Sequence, residues 1–186
     1  MRAIFLDRDG VINRKAPEGE YVTDLSEFQL LPGALDAISR MFRCGYQVFI
    51  VTNQRGIATG KILPERLEEI HSTLSASLGK VGVPVSKIYV CPHDRTDNCE
   101  CRKPRSGMLL LAAREFDLDL PASWMIGDSE SDIIAGRNAG CRTVLIASQA
   151  PGWSSDVVPD LTCPNLEAAA GHVCGSIGDP KLTASL

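Results

Sequence analysis

The chain has 186 residues, of which 44% are hydrophobic and 23% charged, with a formal net charge of −4 at pH 7. That length fills one domain whose core is large enough to fold without disulfides or metal ions. The acidic balance, with a pI near 5.4, offers no basic face to displace counterions from nucleic acid, and no apolar run approaches the roughly 18 to 20 residues of a membrane span.

The N-terminal MRAIFLDRDG enters a strand-like segment directly, without the basic region, apolar run and small-residue site of a secretory signal. A cytoplasmic protein is expected, acting as a monomer and binding neither nucleic acid nor membrane. Seven cysteines in such a chain read as reduced thiols, buried or metal-bound, and not as a disulfide framework.

In chain order, short β-rich runs occur at 3 to 7 (AIFLD), 47 to 53 (QVFIVTN), 87 to 91 (KIYVC), 124 to 128 (WMIGD) and 142 to 147 (RTVLIA). Helical stretches separate them. In 64 to 80, Leu67, Ile70, Leu74 and Leu78 recur at helical spacing, Pro64 suits a first turn, and Gly79 and Gly82 are stops. The strands are nearly continuous apolar runs, as in a parallel sheet covered on both faces. The expected fold is therefore a doubly wound, Rossmann-like α/β domain over 1 to 174, with helices on both faces and a loose tail over 175 to 186.

Ligands of open parallel sheets bind beyond the carboxyl ends of the strands. There the sequence places Asp7 and Asp9 around the turn-permitting Gly10, then Thr52 and Asn53, then Lys103, then Asp128 and Asp132. Taken singly, the aspartate pair is a capped turn, Thr52 and Asn53 are turn residues, Lys103 is a solvated lysine, and GDSESD is a helix start with acids at its positive end. Together, acid, hydroxyl, lysine and acid follow four consecutive strands. Asp132 either supports a neighbouring ligand from behind or lies exposed on the next helix.

These residues resemble the four motifs of the haloacid dehalogenase superfamily of phosphohydrolases, over about residues 1 to 148. The resemblance implies that Asp7 takes the phosphoryl group as an aspartyl phosphate and that Asp9 is acid and base. Thr52, Asn53 and Lys103 would hold phosphoryl oxygens. Asp7, the Asp9 carbonyl and Asp128 would hold Mg²⁺, an oxygen-rich set of the kind that ion takes. The scheme is physically coherent, because a carboxylate attacks an anionic phosphate only where cations and hydrogen-bond donors relieve the repulsion.

The segment CPHDRTDNCECRKP concentrates Cys91, His93, Cys99 and Cys101 as C-x-H-x5-C-x-C. Three thiolates and one imidazole make a closed tetrahedral zinc set with no open position, so Zn²⁺ there would be structural, fixing the backbone before Arg102 and Lys103. The arrangement resembles the subgroup of heptose 1,7-bisphosphate 7-phosphatases and histidinol-phosphate phosphatases. LDRDGVIN, YV at 21 and 22, LPGA at 31 to 34, TNQRGIATG and CRKPRSGM follow the heptose members in particular.

By that resemblance the substrate is a phosphorylated sugar of surface-polysaccharide synthesis, heptose bisphosphate, with histidinol phosphate the alternative. Arg8, the segment Lys15, Ala16, Pro17 and Glu18, the residues Asn53, Gln54 and Arg55, and Arg102 would touch it. Arg55 departs from the subgroup, where a small residue follows TNQ; its guanidinium either binds a distal phosphate bidentately or lies in solvent. Cys44, Cys141, Cys163 and Cys174 read as small buried or partly buried residues, and His71 and His172 as surface positions of helices. Trp124 reads as packing, and Trp153 as packing or a loop anchor.

Two readings from other classes compete. A phospho-acceptor receiver domain shares aspartate, hydroxyl, lysine and Mg²⁺, but lacks the paired aspartates and the zinc loop. A zinc-dependent nucleic-acid module, or a polynucleotide 3′-phosphatase, needs a cationic groove and aromatics, and only 5% of residues are aromatic.

Overall fold

The computed structural model describes residues 1–149, 153 and 156–175. Six strands, β1 (Ala3–Leu6), β2 (Gln47–Asn53), β3 (Val85–Cys91), β4 (Trp124–Gly127), β5 (Arg142–Ile146) and β6 (Leu161–Cys163), form one sheet in the order β3-β2-β1-β4-β5-β6, with every neighbouring pair parallel. The helices are α1 (Ala34–Arg43), α2 (Arg55–Ala58), α3 (Pro64–Lys80), α4 (Gly107–Phe116), α5 (Glu130–Ala139) and α6 (Leu166–Gly175).

Strand side chains alternate between faces, and the apolar residues divide accordingly. Ile4, Leu6, Val48, Ile50, Ile126 and Val144 pack with α1, α3 and α6. Ala3, Phe5, Phe49, Val51 and Met125 pack with α4 and α5 on the other face. Because both faces are covered, β1 is fully buried along its length. No helix among the described residues is long and apolar enough to cross a membrane.

The five strands expected from sequence are present, within two residues at each end. Pro64 opens α3 and Gly82, with φ +77°, follows its end. Trp124 is buried, with the Arg142 guanidinium over its ring, as a packing residue would be. The structure adds β6 and α6, whose segments are short or weakly periodic. Gly175 ends α6, and the rest of the expected tail, 176–186, lies outside the described residues.

Two expectations are corrected. Cys44, at the end of α1, and Cys174, in α6, are bonded as a disulfide across a sequence separation of 130, with Cα atoms 5.9 Å apart. The two helices share one face of the sheet, which brings together thiols that sequence distance hides. Cys141 and Cys163 are buried free cysteines, as expected. His71 is 5% exposed, because it falls on the apolar stripe of α3 between Ile70 and Leu74; His172 is exposed, as expected.

Candidate active site

β1 and β4 are neighbours at the centre of the sheet, where the connections diverge to the two sides, and a crevice opens beyond their carboxyl ends. Asp7 and Asp128 are the first residues past these strands. The Asp7 amide donates to the Ile126 carbonyl at 2.9 Å, so the sheet ladder itself fixes where the Asp7 side chain starts. Gly10, with φ +92°, turns the chain away; a Cβ there would lie 2.2 Å from Asp128 Oδ2. Only glycine lets the first loop come this close to the second acid.

Lys103 lies under both. Its Nζ donates to Asp7 Oδ1 at 2.7 Å and to the Val51 carbonyl at 2.7 Å, and pairs with Asp132 Oδ1 at 2.6 Å. Burial works against the lysine charge, yet Asp132 and Asp7 hold its pKa above the ordinary value. Asp132 is 1% exposed, and its second oxygen accepts from Ser129 N and Oγ. It is therefore the support behind Lys103 and not an exposed helix residue.

Burial pushes the Asp7 carboxyl up to about 7; Asp132, Asp9 and Asp128 add to the rise and Lys103 opposes it. Burial likewise raises Asp128, against the pull of Lys15, whose Nζ donates to Asp128 Oδ2 at 2.7 Å. The other oxygen, Oδ1, is buried without a hydrogen-bond partner. Asp7, Asp128 and Asp132 bring carboxylate oxygens within 4.8 Å of one another. With Asp132 engaged by Lys103 and Ser129, the crowded Asp7 and the orphaned Asp128 Oδ1 are the atoms that fit a hard divalent cation.

Asp9 is held differently. Both its oxygens accept from Arg8 Nη2 at 2.9 Å, Oδ1 also accepts from Asn13 Nδ2 at 2.9 Å, and Oδ2 from Gln54 Nε2 at 3.0 Å. Burial acts to raise its pKa, but the Arg8 charge and the hydrogen bonds from Asn13, Arg8 and Gln54 outweigh it and hold Asp9 below the usual carboxylate value. Two adjacent carboxylates thus differ in proton affinity through their partners alone. Gln54 also donates to Thr52 Oγ1 at 2.8 Å.

Arg8 and Arg55, expected to touch the substrate, are not part of the cleft lining, while Asn53 does line the cleft and has a second duty. Arg8 is 0% exposed and is folded under the site, spent on Asp9. Asn53 exchanges hydrogen bonds with the Lys103 backbone, Nδ2 to the carbonyl at 3.0 Å and the Lys103 amide to Oδ1 at 3.1 Å, so its side chain fixes the lysine segment. Arg55 forks Asp94, Nε to Oδ1 at 2.7 Å and Nη2 to Oδ2 at 3.2 Å. This is neither of the two expected positions; the guanidinium ties the start of α2 to the cysteine loop. Asn13 was not singled out from sequence, although it lies in the LDRDGVIN run, and His71 was read only as a surface position, although it lies on a helical stripe.

Lys15, Ala16, Pro17, Glu18, Gln54 and Arg102 do line the cleft of about 550 Å³ above Asp7, Asp9, Thr52 and Lys103, and Arg95 joins them. Arg102 Nη1 donates to the His93 carbonyl at 3.1 Å, so the cysteine loop forms one wall.

In that loop Cys91 Sγ lies 3.7 Å from His93 Nδ1 and 3.6 Å from Cys99 Sγ, Cys101 Sγ lies 3.2 Å from His93 Nδ1, and the Cys99 and Cys101 sulfurs are 3.5 Å apart. Tetrahedral bonding to zinc gives ligand separations of about 3.5 to 3.8 Å; the donor set fits that ion in kind, and three of these four separations fall in that range. Burial pushes the Cys101 thiol up to about 12, with Cys91 and Cys99 adding to the rise; a cation must displace that proton to bind. The loop also abuts α4, where a Cβ on Gly107 would meet the Glu100 carbonyl oxygen at 2.3 Å.

The HAD-hydrolase-like family model matches residues 100–169. The chain is 38% identical over 146 residues to a D-glycero-beta-D-manno-heptose-1,7-bisphosphate 7-phosphatase of Pseudomonas putida, covering 78% of this chain and 82% of that protein. It is 39% identical over 148 residues to a D-glycero-alpha-D-manno-heptose-1,7-bisphosphate 7-phosphatase of Campylobacter jejuni, covering 80% and 83%. The crystal structure of the D,D-heptose 1,7-bisphosphate phosphatase of Bordetella bronchiseptica, complexed with magnesium and phosphate, superposes with a TM-score of 0.83 at 33% identity, covering 95% of this chain and 99% of that one.

Proposed function

The chain belongs to the haloacid-dehalogenase-like family of heptose bisphosphate phosphatases, and from that premise we propose that it hydrolyses the C7 phosphate of D-glycero-D-manno-heptose 1,7-bisphosphate, as a monomer in the cytoplasm. The sugar 1-phosphate left behind suits nucleotide activation for surface-glycan synthesis. The observation that carries the reading is Asp7: a buried carboxylate at a parallel-strand end, held by Lys103 at 2.7 Å beside the unpartnered Asp128 Oδ1, on the floor of a sugar-sized cleft.

Asp7 is the nucleophile. One carboxylate oxygen forms a bond to phosphorus while the bond from phosphorus to the C7 oxygen breaks, and the departing alkoxide takes a proton from Asp9. Water then attacks phosphorus, gives a proton back to Asp9, and the bond to Asp7 breaks to release phosphate. Asp9 is held ionised by Arg8, Asn13 and Gln54 while the site is empty; a phosphate anion arriving beside it raises its proton affinity. Lys103 meets the phosphoryl oxygens with a fixed charge, and Thr52 faces them with its hydroxyl.

Asp7, Asp128 and the Asp9 carbonyl would hold Mg²⁺, which supplies charge neutralisation for the transferring group. Cys91, His93, Cys99 and Cys101 would hold Zn²⁺ as a structural ion. Lys15 to Glu18 and Arg102 would contact the sugar or its second phosphate. Phosphate release from the alpha and beta anomers of heptose 1,7-bisphosphate and from histidinol phosphate, measured side by side with Mg²⁺, tests the reading. One anomer should be the preferred substrate; a clear preference for histidinol phosphate over both overturns it.

A further inference from the structure

Behind the site lies a charged group whose own support the chemistry above leaves out. Arg8 is completely buried, and a buried guanidinium needs partners for its donors. Nη2 and Nε are directed at Asp9, and Nη1 meets His71 Nε2 at 3.2 Å, 63 residues away on α3. Arginine has donors only, so His71 Nε2 must be an acceptor. The imidazole is therefore neutral and carries its proton on Nδ1. Burial, with Arg8 second, pushes the His71 pKa down to about 4, which agrees with that tautomer.

The result is a relay of contacts with a single orientation: α3 holds His71, His71 accepts from Arg8, and Arg8 grips both oxygens of Asp9. We infer that His71 is a positioning residue for the acid and base of this reaction, fixing Arg8 so that the Asp9 carboxylate is held at the cleft floor. Arg8 cannot be replaced in this duty by Asn13 or Gln54, since each of those reaches one Asp9 oxygen only. Nothing else in the described structure accepts from Arg8 Nη1. The inference rests on Asp9 being the acid and base proposed above.

The test compares His71→Leu and His71→Gln with the unmodified enzyme, using heptose bisphosphate and 4-nitrophenyl phosphate. The glutamine carbonyl can still accept from Arg8, whereas leucine cannot. Misplacing a catalytic group by about 1 Å costs up to about 100-fold. His71→Leu should therefore lower kcat on the sugar ester by about 10- to 100-fold with KM little changed. The pre-steady-state burst of 4-nitrophenol, whose departure needs little acid, should persist at full amplitude. His71→Gln should recover most of the kcat.

A 4-nitrophenol burst rate that falls as far as kcat on the sugar ester, no loss on either substrate, or no recovery with glutamine overturns the inference. The burst amplitude reports the folded, active fraction, so a folding defect is read directly. If the unmodified enzyme fails on heptose bisphosphate, or Asp9→Asn shows no dependence on the leaving group, it is the functional reading that fails instead.

Discussion

The strand-end cluster and the cysteine loop are two ways of making a polar site. Asp7, Thr52, Lys103 and Asp132 are all nearly buried, come from four separate segments and are aligned by sheet register and by one another. Cys91, His93, Cys99 and Cys101 come from the end of β3 and the loop that follows it, three of them half-exposed, and bring their donor atoms within 4.8 Å of one another, a set that could hold a cation. The first kind of site exists before any ligand arrives; the second would be completed by one. Lys103 joins them, covalently the end of the loop and electrostatically the centre of the cluster.

The sharpest break of that contrast is at Asp7. Asp7→Asn removes the attacking atom while leaving Lys103 paired to Asp132, so hydrolysis of every phosphate ester should vanish, with no burst, in a protein whose circular dichroism is unchanged. Residual turnover of an aryl phosphate would show that the cluster works by some other nucleophile.

Next in size is Asp9→Asn. Positioned acids and bases contribute about 10² to 10⁴ in rate, and heptose bisphosphate turnover should fall by about that factor. With an aryl phosphate, stopped-flow traces should show a burst of phenol followed by a slow steady state, because the amide cannot take the proton from water. Equal losses in burst and steady state would assign Asp9 another role.

The loop should matter less and differently. Cys99→Ser, or removal of zinc by a chelator that leaves Mg²⁺ in place, should lower kcat/KM by about 10- to 100-fold through misplacement of Arg102 and Lys103. The sheet and its helices should keep their circular dichroism, since the two apolar layers do not depend on the ion. Purified protein containing no zinc by elemental analysis, or a chelated protein that unfolds, would erase the distinction drawn between the two regions.

The smallest effect is on stability. The Asp7 pKa is raised from 3.8 to about 7, so the folded state binds that proton more tightly than the unfolded chain. Its contribution is then present below about pH 4 and lost as pH rises towards 7. Without Mg²⁺, Asp7→Asn should melt higher than the unmodified protein at pH 7.5, by about 3 to 10 °C, and the difference should shrink at pH 4. A variant that is less stable at both pH values would show that the Lys103 pair outweighs the crowding of carboxylates.

Much of this was legible in the residues. Buried parallel strands write themselves as apolar runs, and the polar residue that ends each run marks the functional edge, which is why Asp7, Thr52 and Asp128 could be placed without coordinates; Lys103, well beyond the end of β3 at Cys91, was placed by resemblance to the family's motif. The spacing of Cys91, His93, Cys99 and Cys101 is local and carries its own geometry. What escaped is long-range pairing. Arg8 reads as a substrate contact until Asp9 and His71 claim its donors, and Arg55 as a phosphate ligand or a solvated cation until Asp94 is brought to it. Cys44 and Cys174 look like separate thiols until α1 and α6 pack side by side. His71 alone had a visible signal, because its position continues the stripe of Leu67, Ile70, Leu74 and Leu78.

The bond from the Asp7 amide to the Ile126 carbonyl also sets a condition on synthesis. β1 leaves the ribosome well before its β4 neighbour, which emerges only after some 120 residues more, at the roughly 5 to 20 residues per second of translation. Until then the nascent chain carries an apolar strand with one edge open and the proposed nucleophile with no second acid beside it. Fragments that stop short of Asp132 could pair β1 with β2 and should still lack phosphatase activity, so activity would report on a chain made at least as far as Asp132.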